Sequence, residues 1–128
     1  MLDTNTVSLL LRKNQAVLER LRHQPPSHIF ISSITRAELI YGLAKRPQAV
    51  TLKRAVDSFL LHVETKDWDS RAAENYGRLR AKAEAAGLSL SPLDMLIAAH
   101  ANAMAMILVT NDQVIHKVPD LIVEDWSK

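Results

Sequence analysis

Short apolar runs and longer helix-periodic stretches alternate along the chain. Ile29-Phe30-Ile31 follows Pro25-Pro26 and stops at Ser32-Ser33. Met106-Ile107-Leu108-Val109-Thr110 is rich in β-branched residues and ends on polar Asn111-Asp112. Leu121-Ile122-Val123 lies near the end, His62-Val63-Glu64-Thr65 is weaker, and Met1-Leu2-Asp3-Thr4 is very short. Runs of this length, with such residues and polar stops, predict buried strands. Between them the spacing turns helical. Val7–Leu11 and Val17–Leu21 fit one or two helices, and Ile34–Ala44 another with Leu39, Ile40 and Leu43 on one side. Ala49–Leu61 places Leu52, Val56, Phe59 and Leu60 at helical spacing. Ser70–Ala86 is rich in Ala, Arg, Lys and Glu, with Gly87 as its stop. Ser91-Pro92 starts a last helix, Ser91 as N-cap and Pro92 in the first turn, with Leu93, Leu96, Ile97 and Ala101 recurring every three or four residues.

Strands that alternate with helices predict a three-layer α/β/α sandwich around a mostly parallel sheet. Right-handed crossovers then bring every strand C-terminus to one edge, where ligands of such folds bind. A length of 128 residues suits one domain over residues 1–128, and 48% hydrophobic against 23% charged residues suits a packed core. No apolar run nears the ~20 residues of a membrane span, and the Met1-Leu2-Asp3 start lacks a signal-peptide pattern. The absence of cysteine excludes disulfides and thiolate metal sites and agrees with a cytoplasmic protein.

Four acids stand where an apolar segment ends or a helix begins: Asp3, Glu38, Asp94 and Asp112. The sandwich topology projects all four from the same edge. Clustered carboxylates resist ionising together unless a cation sits among them, and a hard divalent cation is the usual partner of oxygen ligands. This points to metal-dependent phosphodiester hydrolysis. Thr4, Asn5, Ser33, Thr110 and Asn111 gather at the same edge as groups to orient the carboxylates or metal-bound water. The net charge is +2, from 16 basic and 14 acidic residues. Setting the four acids aside leaves sixteen against ten, a basic surround suited to a polyanion.

Each acid also has a structural reading. Thr35-x-x-Glu38 and Ser91-x-x-Asp94 resemble capping boxes, and Asp3 and Asp112 suit N-caps or turns. What favours chemistry is the conjunction of all four on one edge. The five histidines show no metal-ligand spacing and read as surface or helix-packing residues, with His100 two turns beyond Asp94. Met95, Met104 and Met106 read as core fillers, Trp68 and Trp126 as packing residues, and Arg36 as a solvated face or phosphate contact. There is no Gly-rich phosphate loop.

The ordered segments Leu2-Asp3-Thr4-Asn5, Ser32–Gly42, Asp94–Ala101, Leu108–Asp112 and Glu124-Asp125-Trp126 resemble the PIN-domain family, specifically the VapC-like ribonuclease toxins of bacterial toxin–antitoxin pairs. The resemblance spans nearly the whole chain. It implies a PIN-like sandwich with a sheet of about five strands. It also implies an acidic site of Asp3, Glu38, Asp94 and Asp112, and endoribonuclease activity dependent on Mg²⁺ or Mn²⁺. The implied partners are an RNA substrate, a second copy of the chain, and an antitoxin. The antitoxin's C-terminal segment would enter the active-site groove, in a dimer or a higher assembly. Two departures stand out: relatives often carry apolar residues before the first Asp, and many have Asn-Asn where this chain has Asn111-Asp112, with a Glu beyond.

Three other classes of protein place acids at strand ends or share this fold. An Asp-nucleophile phosphatase would need a second Asp where Asn5 stands, and a phospho-receiver a suitably placed Lys that Lys117 does not supply. A catalytically silent PIN-fold module that binds metal or a partner is the second. The third is a nuclease acting on DNA, since carboxylates read phosphate rather than sugar.

Overall fold

The computed structural model describes residues 1–128. Its elements are α1 (Thr4–Leu11), α2 (Gln15–Arg22), β1 (Phe30–Ser32), α3 (Ser33–Ala44), α4 (Val50–His62), β2 (Glu64–Lys66), α5 (Ser70–Ala85), α6 (Pro92–Ala103), β3 (Leu108–Val109) and β4 (Val123–Glu124). β1 pairs with β2 and β3 with β4, both in parallel. The N-terminal residues join the two pairs. Leu2 N–H donates to the Phe30 carbonyl at 2.9 Å, Asp3 N–H to Val109 at 3.1 Å, and Val109 N–H to Met1 at 2.8 Å. Leu2 forms a parallel bridge with Val109. The sheet therefore runs β2, β1, Met1–Asp3, β3, β4, with the N-terminal segment at its centre. The expected mostly parallel sheet of about five strands is present as four strands of two or three residues and the bridging segment between them.

The pleat distributes neighbours to opposite faces. Met1 and Leu108 belong to one apolar cluster, with Leu79 of α5 and Met95, Ile97 and Ala98 of α6. Leu2 and Val109 belong to the other, with Val7, Val17, Ile31, Leu39 and Val56. These are the two helical layers. Ala98, Ala99 and Ala101 are fully buried, so small side chains let α6 lie close against its neighbours.

The helix ends explain several boundaries. Gly87, at φ +77°, closes α5: its N–H reaches Glu84 and Leu88 N–H reaches Ala83, both at 2.9 Å. This is a Schellman cap in which glycine takes the left-handed position. The same pattern closes α1 at Lys13 (φ 61°) and α6 at Ala105 (φ 52°) without glycine. Lys13 thus divides α1 from α2, whose own N-cap is Asn14 accepting from Val17 N–H at 3.1 Å.

Some expected placements are corrected. Ser32, not Thr35, caps α3; its Oγ accepts from Ile34 N–H at 3.1 Å, and Thr35 is buried in the first turn. Ile40, Leu93 and Met104 face solvent rather than the core. Periodicity gives their angular position on a helix but not how far the neighbouring layer reaches around it.

An L-residue held at positive φ carries strain that glycine lacks. Ala105→Gly is therefore expected to raise unfolding stability, by up to about 1 kcal/mol. Urea denaturation checks it; a loss of stability would contradict the left-handed cap.

Candidate active site

The site begins with Asp3, which leaves the central segment in an extended conformation and at once caps α1. Its side chain accepts from Thr6 N–H at 2.8 Å and is 4% exposed. The pleat sends it to the same side as Met1, toward α6, where Ser91 caps the helix by accepting from Asp94 N–H at 3.2 Å. Burial pushes the Asp3 carboxyl above its ordinary value of 3.8, and the charge of Asp94 pushes it further. Hydrogen bonds from Thr110 and Thr6 act in the opposite direction. Asp3 and Asp94 thus sense each other across the sheet edge.

Glu38 arrives one turn into α3. Thr4 Oγ1 donates to its Oε1 at 2.6 Å and lies 3.1 Å from Thr35 Oγ1. The residue after Asp3 therefore fixes the second acid. Asn5 Nδ2 donates to Asn111 Oδ1, tying α1 to the loop after β3. In that loop Thr110 Oγ1 accepts from Asp112 N–H at 3.1 Å, and Asp112 Oδ1 accepts from Val114 N–H at 2.9 Å. The Asp112 carboxylate is thereby engaged in its own turn.

The structure places Asp94 near enough for its charge to act on Asp3, and links Glu38 to the residue after Asp3 through Thr4. Asp112 shares the edge by way of Thr110. No three Asp, Glu or His side chains stand close enough together to hold one ion. The donor chemistry nevertheless fits a hard divalent cation: the candidates are all carboxylates, and the buried Asp3 is penalised for its charge until a cation offsets it.

Among the expected orienting groups, Thr4, Asn5, Thr110 and Asn111 do face these acids or one another. Ser33 does not: its Oγ accepts from Trp68 N–H at 3.0 Å and secures the loop before α5. Thr6 and Thr35 were missed. Thr35 sits three residues before Glu38 and reads from sequence as a cap, whereas Thr6 becomes legible only once Asp3 is known to start a helix. Arg36 Nη1 reaches Thr65 Oγ1 at 3.4 Å. His100 is 1% exposed, and its Nδ1 lies 2.8 Å from Ser32 Oγ, the cap of α3. It pins the helix of Asp94 to the helix of Glu38 from beneath the site. Burial lowers its basicity, against the pull of the nearby Asp69 and Asp67 charges and the Asp67 backbone.

A parallel sheet edge carrying these acids, with helices on both faces, is the architecture of a PIN-type domain. The chain belongs to the PIN domain family, whose sequence profile matches residues 1–121. It is 37% identical to Ribonuclease VapC2 of Rickettsia felis, across 100% of this chain and 98% of that one. It is 33% identical to the tRNA(fMet)-specific endonuclease VapC of Salmonella typhimurium, across 98% and 96%. Among solved structures it superposes on VapBC2 from Rickettsia felis bound to a promoter DNA fragment. That match has a TM-score of 0.89 at 35% identity and covers 98% of this chain and 97% of that one. FitAcB from Neisseria gonorrhoeae matches with a TM-score of 0.87 at 27% identity, over 98% and 96%.

Two predictions follow from the electrostatics. The raised Asp3 value means that folding favours the protonated carboxyl; that stabilisation is present below pH 3.8 and is lost as pH rises through the native value. At neutral pH without divalent metal, ionised Asp3 is therefore a cost, and Asp3→Asn should raise Tm in EDTA. A lowered Tm would contradict the buried-charge reading. For His100 the sign reverses. Its lowered value gives stability that is full above 6.5 and falls as pH drops toward the native value. His100→Asn, which keeps an acceptor near Ser32, should flatten the loss of Tm between pH 7.5 and 5; an unchanged slope would refute the assignment.

Proposed function

We propose that this protein is a metal-dependent endoribonuclease toxin: one PIN domain over residues 1–128 that hydrolyses RNA phosphodiesters in the cytoplasm and is neutralised by a cognate antitoxin. The observation that carries the reading is the buried Asp3 facing Asp94 at the sheet edge, in a chain that matches VapC ribonucleases over nearly its full length. RNA is the substrate class, and tRNA is the first to test because the Salmonella relative is named for tRNA(fMet).

In this reading Asp3 and Asp94 hold Mg²⁺ or Mn²⁺, with Glu38 and Asp112 as direct or water-mediated ligands. When bound, the cation supplies Lewis acidity toward the phosphate and acidifies water. The chain's own residues do the positioning. Thr6 and Thr110 fix the Asp3 carboxylate, and Thr4 fixes Glu38. The Asn5–Asn111 bridge holds α1 against the loop that carries Asp112. Attack by water forms one P–O bond as the ester P–O bond breaks; the departing oxygen takes a proton, and the attacking water releases one.

The partner reading rests on the matched assemblies, which are VapBC and FitAB complexes. An antitoxin C-terminal segment entering the groove beside Glu38 would block RNA, and an arginine on it would complement the acids. Exposed Ile40 and Tyr41 on α3 and Leu93 on α6 supply apolar surface for a homodimer.

Purified protein with Mg²⁺ or Mn²⁺ should cut a mixed tRNA and rRNA pool into discrete fragments and leave DNA of the same sequence intact. Asp94→Asn should reduce the rate by at least about 100-fold, a loss of several kcal/mol of transition-state stabilisation, with Tm retained. EDTA should abolish the fragments. Metal binding without cleavage would instead favour the silent module, and cleavage of DNA a different substrate.

A further inference from the structure

A groove of about 500 Å³ shares Thr4 and Glu38 with the candidate site. Its floor is apolar, built from Leu39, Leu43 and Leu52, and Arg12, Lys45 and Arg46 also line it. The seven ion pairs of the chain involve none of these three cations. Lys45 Nζ instead sits 4.8 Å from the Tyr41 ring centroid. A separate hollow of about 310 Å³ between Leu21, Ile29 and Phe59 has no Lys, Arg, Asp or Glu in its lining and no acid of the site nearby. Only the first hollow combines contact with the candidate chemistry, free positive charge and an apolar floor.

Arg12 and Lys45 are the C-caps of α1 and α3, where a cation complements the helix dipole. That explains one charge at each helix end. It does not explain why both ends converge on a single groove, or why Arg46 joins them. Lys45 follows Glu38 by seven residues, ~10 Å along a helix, which spans about three stacked nucleotides of one strand. An RNA held at the acids therefore meets these cations within a few phosphates. Volumes of ~300–1,000 Å³ are those of small-molecule pockets, so the floor has room for a base. At position 42 α3 carries glycine, and a Cβ built there meets nothing within 4 Å. The groove is open where a side chain would narrow it.

The geometry points to this groove as the nucleotide-binding subsite beside the scissile phosphate, with Arg12, Lys45 and Arg46 taking the phosphates on one side of the cut and the leucine floor taking a base. The assignment rests on the ribonuclease reading and deepens it. It predicts that RNA is gripped asymmetrically, more strongly on one side of the cleaved bond.

The test uses the full chain and the RNA it cleaves, intact or shortened to within one nucleotide of the cut on either side. Lys45→Ala/Arg46→Ala should raise KM about tenfold on the intact RNA while changing kcat far less. It should reduce the salt dependence of binding by roughly 1 to 1.5 in log–log slope. Gly42→Trp should raise KM without any change of charge, and Tm reports whether it folds. Shortening one end should bring wild type and both variants to similar KM values; shortening the other should not. Three results overturn the assignment: unchanged KM with either variant on intact RNA, equal defects on every substrate, or loss of protein-partner binding with RNA kinetics intact, which would make the groove a protein dock. A wild-type chain that cuts no RNA would defeat the ribonuclease reading itself, whereas normal cleavage by the variants defeats the subsite alone.

Discussion

Between Phe30 and Val109 runs a segment of three residues whose backbone hydrogen bonds hold the two strand pairs together. Leu2 gives its N–H to Phe30, and Met1 and Asp3 pair with Val109. This central position makes Met1 and Leu2 anchors of opposite apolar layers. It also determines where Asp3 emerges: at the end of a buried strand, in the turn that opens α1, facing the helix that carries Asp94. Here fold and site are one constraint. The segment that closes the sheet delivers a carboxylate to a place where its charge is disfavoured.

The residues around Asp3 temper that cost without removing it. Thr6 N–H and the Thr110 hydroxyl donate to it, yet burial and Asp94 still hold its carboxyl above the ordinary value. Hydrogen bonds to the charged form and desolvation oppose one another, and desolvation wins. A positive charge placed beside Asp3 would relieve that cost. In the proposed reading, catalysis and inhibition by an antitoxin share one physical basis, because a cation and a partner's arginine would answer the same buried anion.

Much of this was legible in the sequence. The apolar runs at residues 29–31, 106–110 and 121–123 mark β1, β3 and β4, and Ser91-Pro92 marks the start of α6 as expected. The acids at segment ends were visible because strand and helix boundaries carry their own polar signals. What escaped depends on contacts distant in the chain. Lys13 and Ala105 terminate helices at positive φ without glycine, so no residue type announced the stop. Ser32, not Thr35, caps α3, because one hydroxyl-bearing residue in Ser32-Ser33-Ile34-Thr35 reads like another until β1 fixes the entry angle. His100 read as a surface or helix-packing residue; it proves to be the packing kind, but its partner Ser32 lies 68 positions away and no local pattern names it. Thr4 reads as an orienting residue, but that it holds Glu38 is known only once α1 and α3 are side by side.

Asp3 is a buried carboxylate whose charge is disfavoured, and in the proposed reading a cation relieves it. Carbon-13 NMR titration of the Asp3 carboxyl, with and without Mg²⁺, measures this directly. An apparent pKa above the ordinary 3.8 is expected in EDTA, falling when Mg²⁺ is added. An ordinary value that does not respond to Mg²⁺ would contradict it.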